Sequence, residues 1–141
     1  MNGAKNDQDK IRLDLIPPEC LFSLGKVLTY GAKKYEPNNW RKGIDFSRVY
    51  AALLRHLFDW WGGKWRDDES GFGHLEQAFC ELMFLLYYEL NYHIYEDFDD
   101  RYVEDKAAYL YQPPYKGRWS RNDKREHSPS AERGDGPAPS G

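Results

Sequence analysis

Strand-like alternation of polar and apolar residues is missing from this 141-residue chain, and so is any long apolar run. The longest strongly apolar stretch, 82–88, is far shorter than the roughly 20 residues that a membrane-spanning helix needs. Cysteine is scarce. Cys20 and Cys80 both fall inside apolar helical patterns, which predicts reduced core thiols and no disulfide framework. The opening M-N-G-A-K-N-D-Q-D-K has no apolar segment, so no signal peptide is expected and the chain reads as cytoplasmic. G-x-x-x-x-G-K-[ST], G-x-G-x-x-G and G-x-S-x-G do not occur, which excludes a P-loop, a dinucleotide fingerprint and a nucleophile elbow. An adjacent His-Asp pair and a P-C-x-x-C are lacking too, and with them the usual cores of HD phosphohydrolases and zinc deaminases. Positive charge is also in deficit, at 20 basic against 23 acidic residues. Because 116–141 holds six basic and four acidic residues, the first 115 carry a net −5. An acidic body is a poor binder of nucleic acid polymers but suits recruitment of Mg²⁺ or Mn²⁺ through carboxylates.

What is present is helical periodicity in a chain of one-domain length. After a loose segment 1–9, the lead-in K-I-R-L-D-L-I-P-P ends in two prolines that stop any helix before Glu19. Leu21, Leu24, Leu28, Ala32 and Tyr35 then mark one stripe to about Glu36, with Gly25 and Gly31 beside it. Those glycines either weaken the helix or admit a close neighbour. A second helix, capped by Asp45 or Ser47, has the inward stripe Val49, Leu53, His56, Leu57 and Trp60 and ends at Gly62-Gly63. A third starts near Ser70, with Phe72, Leu75, Phe79, Leu82, Met83 and Leu86 as its apolar face and His74, Ala78 and Glu81 on the edge. Tyr95, Phe98, Tyr102, Val103, Ala107 and Leu110 fit a fourth, its exposed side carrying Asp97 and Asp100. The expectation is an all-α helical bundle of three to four helices over 10–112, with a disordered tail at 113–141. The tyrosines of 87–115 are expected to bury against another copy, giving a homo-oligomer.

The chemistry concentrates in 51–75, where His56 and His74 flank the acidic turn Asp67-Asp68-Glu69. Imidazole with carboxylates suits Mn²⁺, and carboxylates alone suit Mg²⁺. Asp67, Glu69, His56 and His74 are the candidate metal shell, with Asp59 and Glu81 in support. The bland readings stand beside it: a histidine on an apolar stripe can be a satisfied core residue, and acids can cap the third helix. Upstream, Lys33, Lys34 and Arg55 offer charge for a polyphosphate. Tyr35, Asn39 and Trp40 are interleaved with that charge and suit a nucleobase, by stacking and edge recognition. Together these two halves suggest a metal ion gripping a nucleoside triphosphate. A non-catalytic helical adaptor for a protein partner is the reading from another class.

Finally, R-L-D-L-I-P-P-E (12–19), L-T-Y-G-A-K-K-Y (28–35), N-N-W-R-K-G (38–43), A-L-L-R-H-L (52–57) and D-x-E-S-G-x-x-H-L (67–75) occur in order. The series resembles phage dATP/dGTP diphosphohydrolases of the MazZ type, related to MazG-like all-α NTP pyrophosphatases. The resemblance covers about 10–90. It implies metal-dependent hydrolysis of dGTP or dATP to the monophosphate and pyrophosphate, in nucleotide-pool remodelling for 2-aminoadenine DNA, by a homodimer or homotetramer. In the related enzymes, carboxylates on two helices hold two or three Mg²⁺ or Mn²⁺ ions. Their E-x-x-E and E-x-x-D helices are absent here, and H-x-x-D (56–59), D-D-E (67–69) and His74 with Glu81 stand instead. On this reading Glu69 and Asp67 are the catalytic carboxylates, Glu69 orienting the attacking water. A pyrimidine-directed pyrophosphatase of the same superfamily differs only in the base.

Overall fold

The computed structural model describes residues 2–103, which are helical with no strand among them. Residues 2–11 group separately from the unit that begins at Arg12 and hold one turn, in which Lys10 N–H donates to the Asp7 carbonyl at 3.0 Å. Three long helices follow: α1 (Pro18–Lys34), α2 (Phe46–Trp61) and α3 (His74–Leu90). Pro18 occupies the first turn of α1, where a missing N–H costs nothing, and Lys33 and Lys34 sit at its negative end. Leu24, Leu28 and Ala32 are half-buried as the stripe predicts, whereas Leu21 and Tyr35 are exposed. A Cβ at Gly25 or Gly31 would meet only open space, so neither glycine serves close packing. The expected fourth helix differs. A single turn, α4 (Tyr92–Tyr95), passes into a 3₁₀ turn at Glu96–Phe98, and 99–103 is irregular. Ala107, Leu110 and the tail 113–141 lie outside the described residues.

The core forms where aromatic rings from four segments meet. α2 and α3 run antiparallel, with Phe46 stacked on Tyr88 at 5.8 Å at one end and His56 beside His74 at the other. Phe46, Val49, Tyr88 and Tyr95 are buried together, and Trp40, Phe84 and Phe98 pack around them. Burying two phenols requires partners for their hydroxyls. Tyr88 OH donates to the Trp40 carbonyl at 2.5 Å, and Tyr95 OH to the Arg41 carbonyl at 2.7 Å. Both acceptors belong to the 3₁₀ turn Asn39–Lys42 between α1 and α2, which α3 and α4 thereby hold in place. That turn opens at Asn38 (φ 62°) and closes at Gly43 (φ 103°), where the ring edge of Phe98 fills the space a Cβ would need. The described tyrosines expected at an interface are thus largely spent on this chain's own core.

Helix α2 is capped from a distance. Asp45 makes no side-chain cap. Instead Asp100, expected on a solvated face, accepts the Ser47 backbone N–H at 2.8 Å and also the Ser47 hydroxyl. A carboxylate there meets both the free donors and the positive end of the helix dipole. Its neighbour Asp99 accepts Arg101 in a fork at 2.8 Å and the Tyr92 hydroxyl at 2.8 Å. Those bonds, the Arg101 contact foremost, hold its carboxyl down to about 2.

Helix α3 is rotated from the sequence expectation. His74, Ala78, Cys80 and Tyr88 are buried, while Leu75, Phe79, Leu82, Leu86 and Leu90 form an exposed stripe. The helix is apolar on both sides, so periodicity alone cannot say which stripe is inside. Packing puts inside the side that carries His74, Ala78 and Tyr88, with Cys80 beside it. Burial pushes the Cys80 thiol up to about 12. Cys20, in contrast, is exposed, against the core position expected for it.

Two stability outcomes follow. Tyr88→Phe, which leaves the Trp40 carbonyl without its donor, is expected to cost about 1 kcal/mol, and Tyr88→Ala about 3–5 kcal/mol, in urea unfolding. For Asp99, a native pKa of about 2 against an ordinary 3.8 means that its contribution is present above pH 4 and is lost as pH falls toward 2. Asp99→Asn flattens the fall in unfolding midpoint across that window.

Candidate functional site

The connection 62–73 decides where the acidic cluster points. Trp65 and Phe72 receive backbone bonds that close it into a compact turn: His74 N–H donates to the Trp65 carbonyl at 2.9 Å, and Asp67 N–H to the Phe72 carbonyl at 2.8 Å. Within it Asp67 Oδ2 accepts Ser70 N–H at 3.0 Å, Ser70 Oγ–H at 2.8 Å and the Gln77 amide at 3.3 Å. The Ser70 bonds chiefly hold its carboxyl below the usual carboxylate range. This is local turn chemistry, an aspartate bonding the backbone ahead of it. Asp68 instead pairs with Lys64 at 2.9 Å, and exposed Glu69 lies 3.6 Å from Lys34. The three neighbouring acids therefore serve three different partners. None caps α3, whose first turn is closed by Glu76 accepting Gly73 N–H at 3.2 Å.

The histidines do converge. His56 Nδ1 and His74 Nδ1 are 3.0 Å apart, so one ring donates, the other accepts, and a single proton lies between them. His74 is 1% exposed, and its Nε2 has no hydrogen-bond partner. The nearest charge to it is Asp59 Oδ2, at 3.8 Å. Burial first, and His74 second, pull His56 below its ordinary 6.5, against the opposing pull of Asp67 and Asp59. Among the described residues no three of His, Cys, Asp and Glu stand close enough to enclose an ion. The metal-shell expectation thus resolves into parts: His56, His74 and Asp59 together, Asp67 in its turn, Glu69 outside on Lys34, and Glu81 further along α3.

Glu81 belongs to the other half of the site. A groove of about 990 Å³ runs between α1 and the α2–α3 pair. Of the residues expected to hold substrate, Tyr35, Asn39, Trp40 and Arg55 line it, and Glu81 joins them from α3. Burial raises the Glu81 carboxyl to about 7, although Arg55 pulls it down. Lys33 lines a neighbouring hollow with Leu21 and Phe72, and Lys34 does not line the groove but lies 3.6 Å from Glu69 and 5.4 Å over the ring of Tyr35 at the groove wall. Trp40 has less freedom than a stacking platform needs. Its ring lies 4.7 Å from Phe84 and nearly parallel to it, with Tyr87 against it edge-on. Tyr35, in contrast, leaves 66% of its surface in water at the groove wall. Arg48 also lines the groove and was not anticipated. Its signal was present in the sequence, since Arg48, Ala52 and Arg55 follow at i, i+4, i+7 on one face of α2.

A groove with two arginines, an amide, an exposed aromatic ring and a half-buried carboxyl, in an all-α frame, has the chemistry of a nucleotide-handling site. The family model described as dATP/dGTP diphosphohydrolase, N-terminal, matches residues 1–101, and the chain belongs to that family. It is also similar to a dATP/dGTP diphosphohydrolase of Salmonella phage PMBT28, at 36% identity over 87 residues. That stretch covers 62% of this chain but 30% of the phage protein, so the chain spans less than a third of that relative's length. No solved structure matches.

The histidine pair gives a pH prediction. A native His56 pKa below 6.5 means that its neutral form is favoured by folding, so its contribution is complete above pH 6.5 and erodes as pH falls below that value. In imidazole NMR titrations, His74→Phe raises the His56 pKa only part of the way, because burial is the larger cause.

Proposed function

We propose that this chain hydrolyses purine deoxynucleoside triphosphates, dGTP or dATP, to the monophosphate and pyrophosphate, as a homodimer or homotetramer with Mg²⁺ or Mn²⁺. The observation that carries the reading is the groove in which Arg48, Arg55, Asn39 and Tyr35 face a carboxyl with a pKa near 7. The arginines offer forked donors to phosphate oxygens, Tyr35 a face for the base, and Asn39 an amide for its edge. Glu81 has the proton affinity suited to a base working near neutral pH. It would take the proton from the attacking water at its carboxylate, a role expected of Glu69 from sequence alone.

The donor set fits a divalent ion only in part. Asp59 with the orphaned His74 Nε2 would supply two ligands, and Mg²⁺ is commonly held by one or two carboxylates together with substrate phosphates. Bound there, the ion would offset phosphate charge and polarise the phosphoryl oxygens. His56 would then act through His74, fixing its ring by the shared proton and leaving the buried Nε2 on the Asp59 side. Depletion of dATP and supply of dGMP for 2-aminoadenine DNA is the wider role that accompanies this reading. It is supported by the phage origin of the relative.

Incubation with dGTP and Mn²⁺ tests it directly. dGMP and pyrophosphate are expected, and orthophosphate or no turnover would refute the reading. A panel of pyrimidine substrates separates the base classes. Arg55→Ala should lower kcat/KM by roughly 10- to 100-fold, as loss of a charge-assisted bond does. Glu81→Gln should lower kcat by about 100-fold or more and remove the limb of the pH–rate profile near pH 7.

A further inference from the structure

Gly31 weakens α1, and nothing in the chain's own packing asks for it. It sits inside the last turn, short of the C-cap Tyr35, whose N–H donates to the Gly31 carbonyl at 2.9 Å in an ordinary helical bond. Gly31 therefore does not end the helix. Its φ is not positive, so the backbone there suits any residue. Apart from its chain neighbours and the helix backbone, no atom of the described residues comes within 4 Å of the position a Cβ would take, the Tyr35 ring included. Alanine at such a position would make a more stable helix. The use that remains for a helical glycine is to let a ligand approach the main chain closely.

The groove lies in that direction. At about 100° per residue, Gly31 falls between Val27 and Tyr35, about 40° from each, and all three line the groove. The wall that α1 contributes thus has a notch beside the exposed Tyr35 ring. Across the groove, Ala51 and Ala52 lie between Arg48 and Arg55 on one face of α2, so the opposite wall is also low between its two cations. We propose that the notch at Gly31 seats the nucleobase against Tyr35, and that Gly31, by leaving room for the second ring of a purine, sets which bases are admitted. The inference rests on the nucleotide reading above and adds a base-size determinant to it. Lys34 Nζ lies 5.4 Å over one face of the Tyr35 ring, and the base takes the other, since any base offers a π-face to an aromatic platform. Stacking alone does not distinguish purine from pyrimidine. The space beside the platform does, because an added side chain there excludes the larger base first.

The test compares Gly31→Leu with Gly25→Leu in the full chain. Gly25 is also helical with open space at its Cβ, but it lines the hollow of Lys33 and not the groove. Both variants should keep helical circular dichroism and unfold a few degrees above wild type. Binding is measured with Mn²⁺ and with analogues of dGTP and dCTP that carry a methylene bridge between the α and β phosphorus atoms. Gly31→Leu should weaken the dGTP analogue about tenfold or more relative to the dCTP analogue, and Gly25→Leu should leave that ratio unchanged. If the leucine variant fails to fold, Gly31→Ala should shift the ratio the same way by a smaller factor. A Gly31 variant that binds both analogues as wild type does, or loses both equally, overturns the notch and leaves the hydrolase reading standing. So does an unfolding midpoint of Gly31→Ala below that of wild type, which would show the position to be packed. A wild-type chain that binds the dGTP analogue without hydrolysing dGTP overturns the hydrolase reading alone, and one that binds neither analogue overturns both.

Discussion

Two phenolic hydroxyls fix the layout of this protein. Tyr88 and Tyr95 reach from α3 and α4 to the backbone carbonyls of Trp40 and Arg41, and so anchor by its main chain a turn whose Trp40 ring already packs on Phe84. The price is the desolvation of both phenols, which burial pushes to raised pKa values. The return is position. Asn39 and Trp40 line the groove because that turn is tied down, and α1 meets the α2–α3 layer at the angle the turn allows. A hydrogen bond to a main-chain oxygen specifies the path of the backbone more sharply than apolar contact does, since it fails within a few tenths of an ångström.

The same division between local and distant partners governs the site. Asp67 is consumed by its own turn, and Asp68 and Glu69 by neighbouring lysines. The groups left with unspent capacity are those brought together across the hairpin or across the groove: His74 Nε2 beside Asp59, and Glu81 opposite Arg55. Unspent polar capacity under burial is what a ligand can exploit, whereas a satisfied carboxylate has to be released first.

Much of the fold was legible because punctuation and period agreed. Pro17-Pro18, Gly62-Gly63 and the 3.6-residue stripes delimit α1 and α2 closely. The inward position of His56 followed from the same periodicity. The rotation of α3 was not legible, since Leu75, Phe79, Leu82 and Leu86 compete with Ala78, Leu85 and Tyr88 for the inside and periodicity weighs them alike. Nor was the meeting of His56 with His74, which depends on how the twelve residues 62–73 fold back. The Asp67 turn could have been read from D-D-E-S-G, where aspartate three residues before serine and a following glycine form a turn signature. Arg48 could have been read from its spacing to Arg55. Asp100 could not, because its partner is remote in sequence.

That remoteness affects how the molecule is assembled. The α2–α3 hairpin is built from near neighbours, but the first turn of α2 is secured by Asp100, 53 residues beyond Ser47, and the 39–42 turn by Tyr95, 54 residues beyond Arg41. Contacts between residues this far apart form after local ones, because the intervening chain must be closed first. During synthesis the groove therefore takes shape late: α1 and α2 are complete well before the residues that set their separation leave the ribosome. A nascent chain has its helices before it has its site.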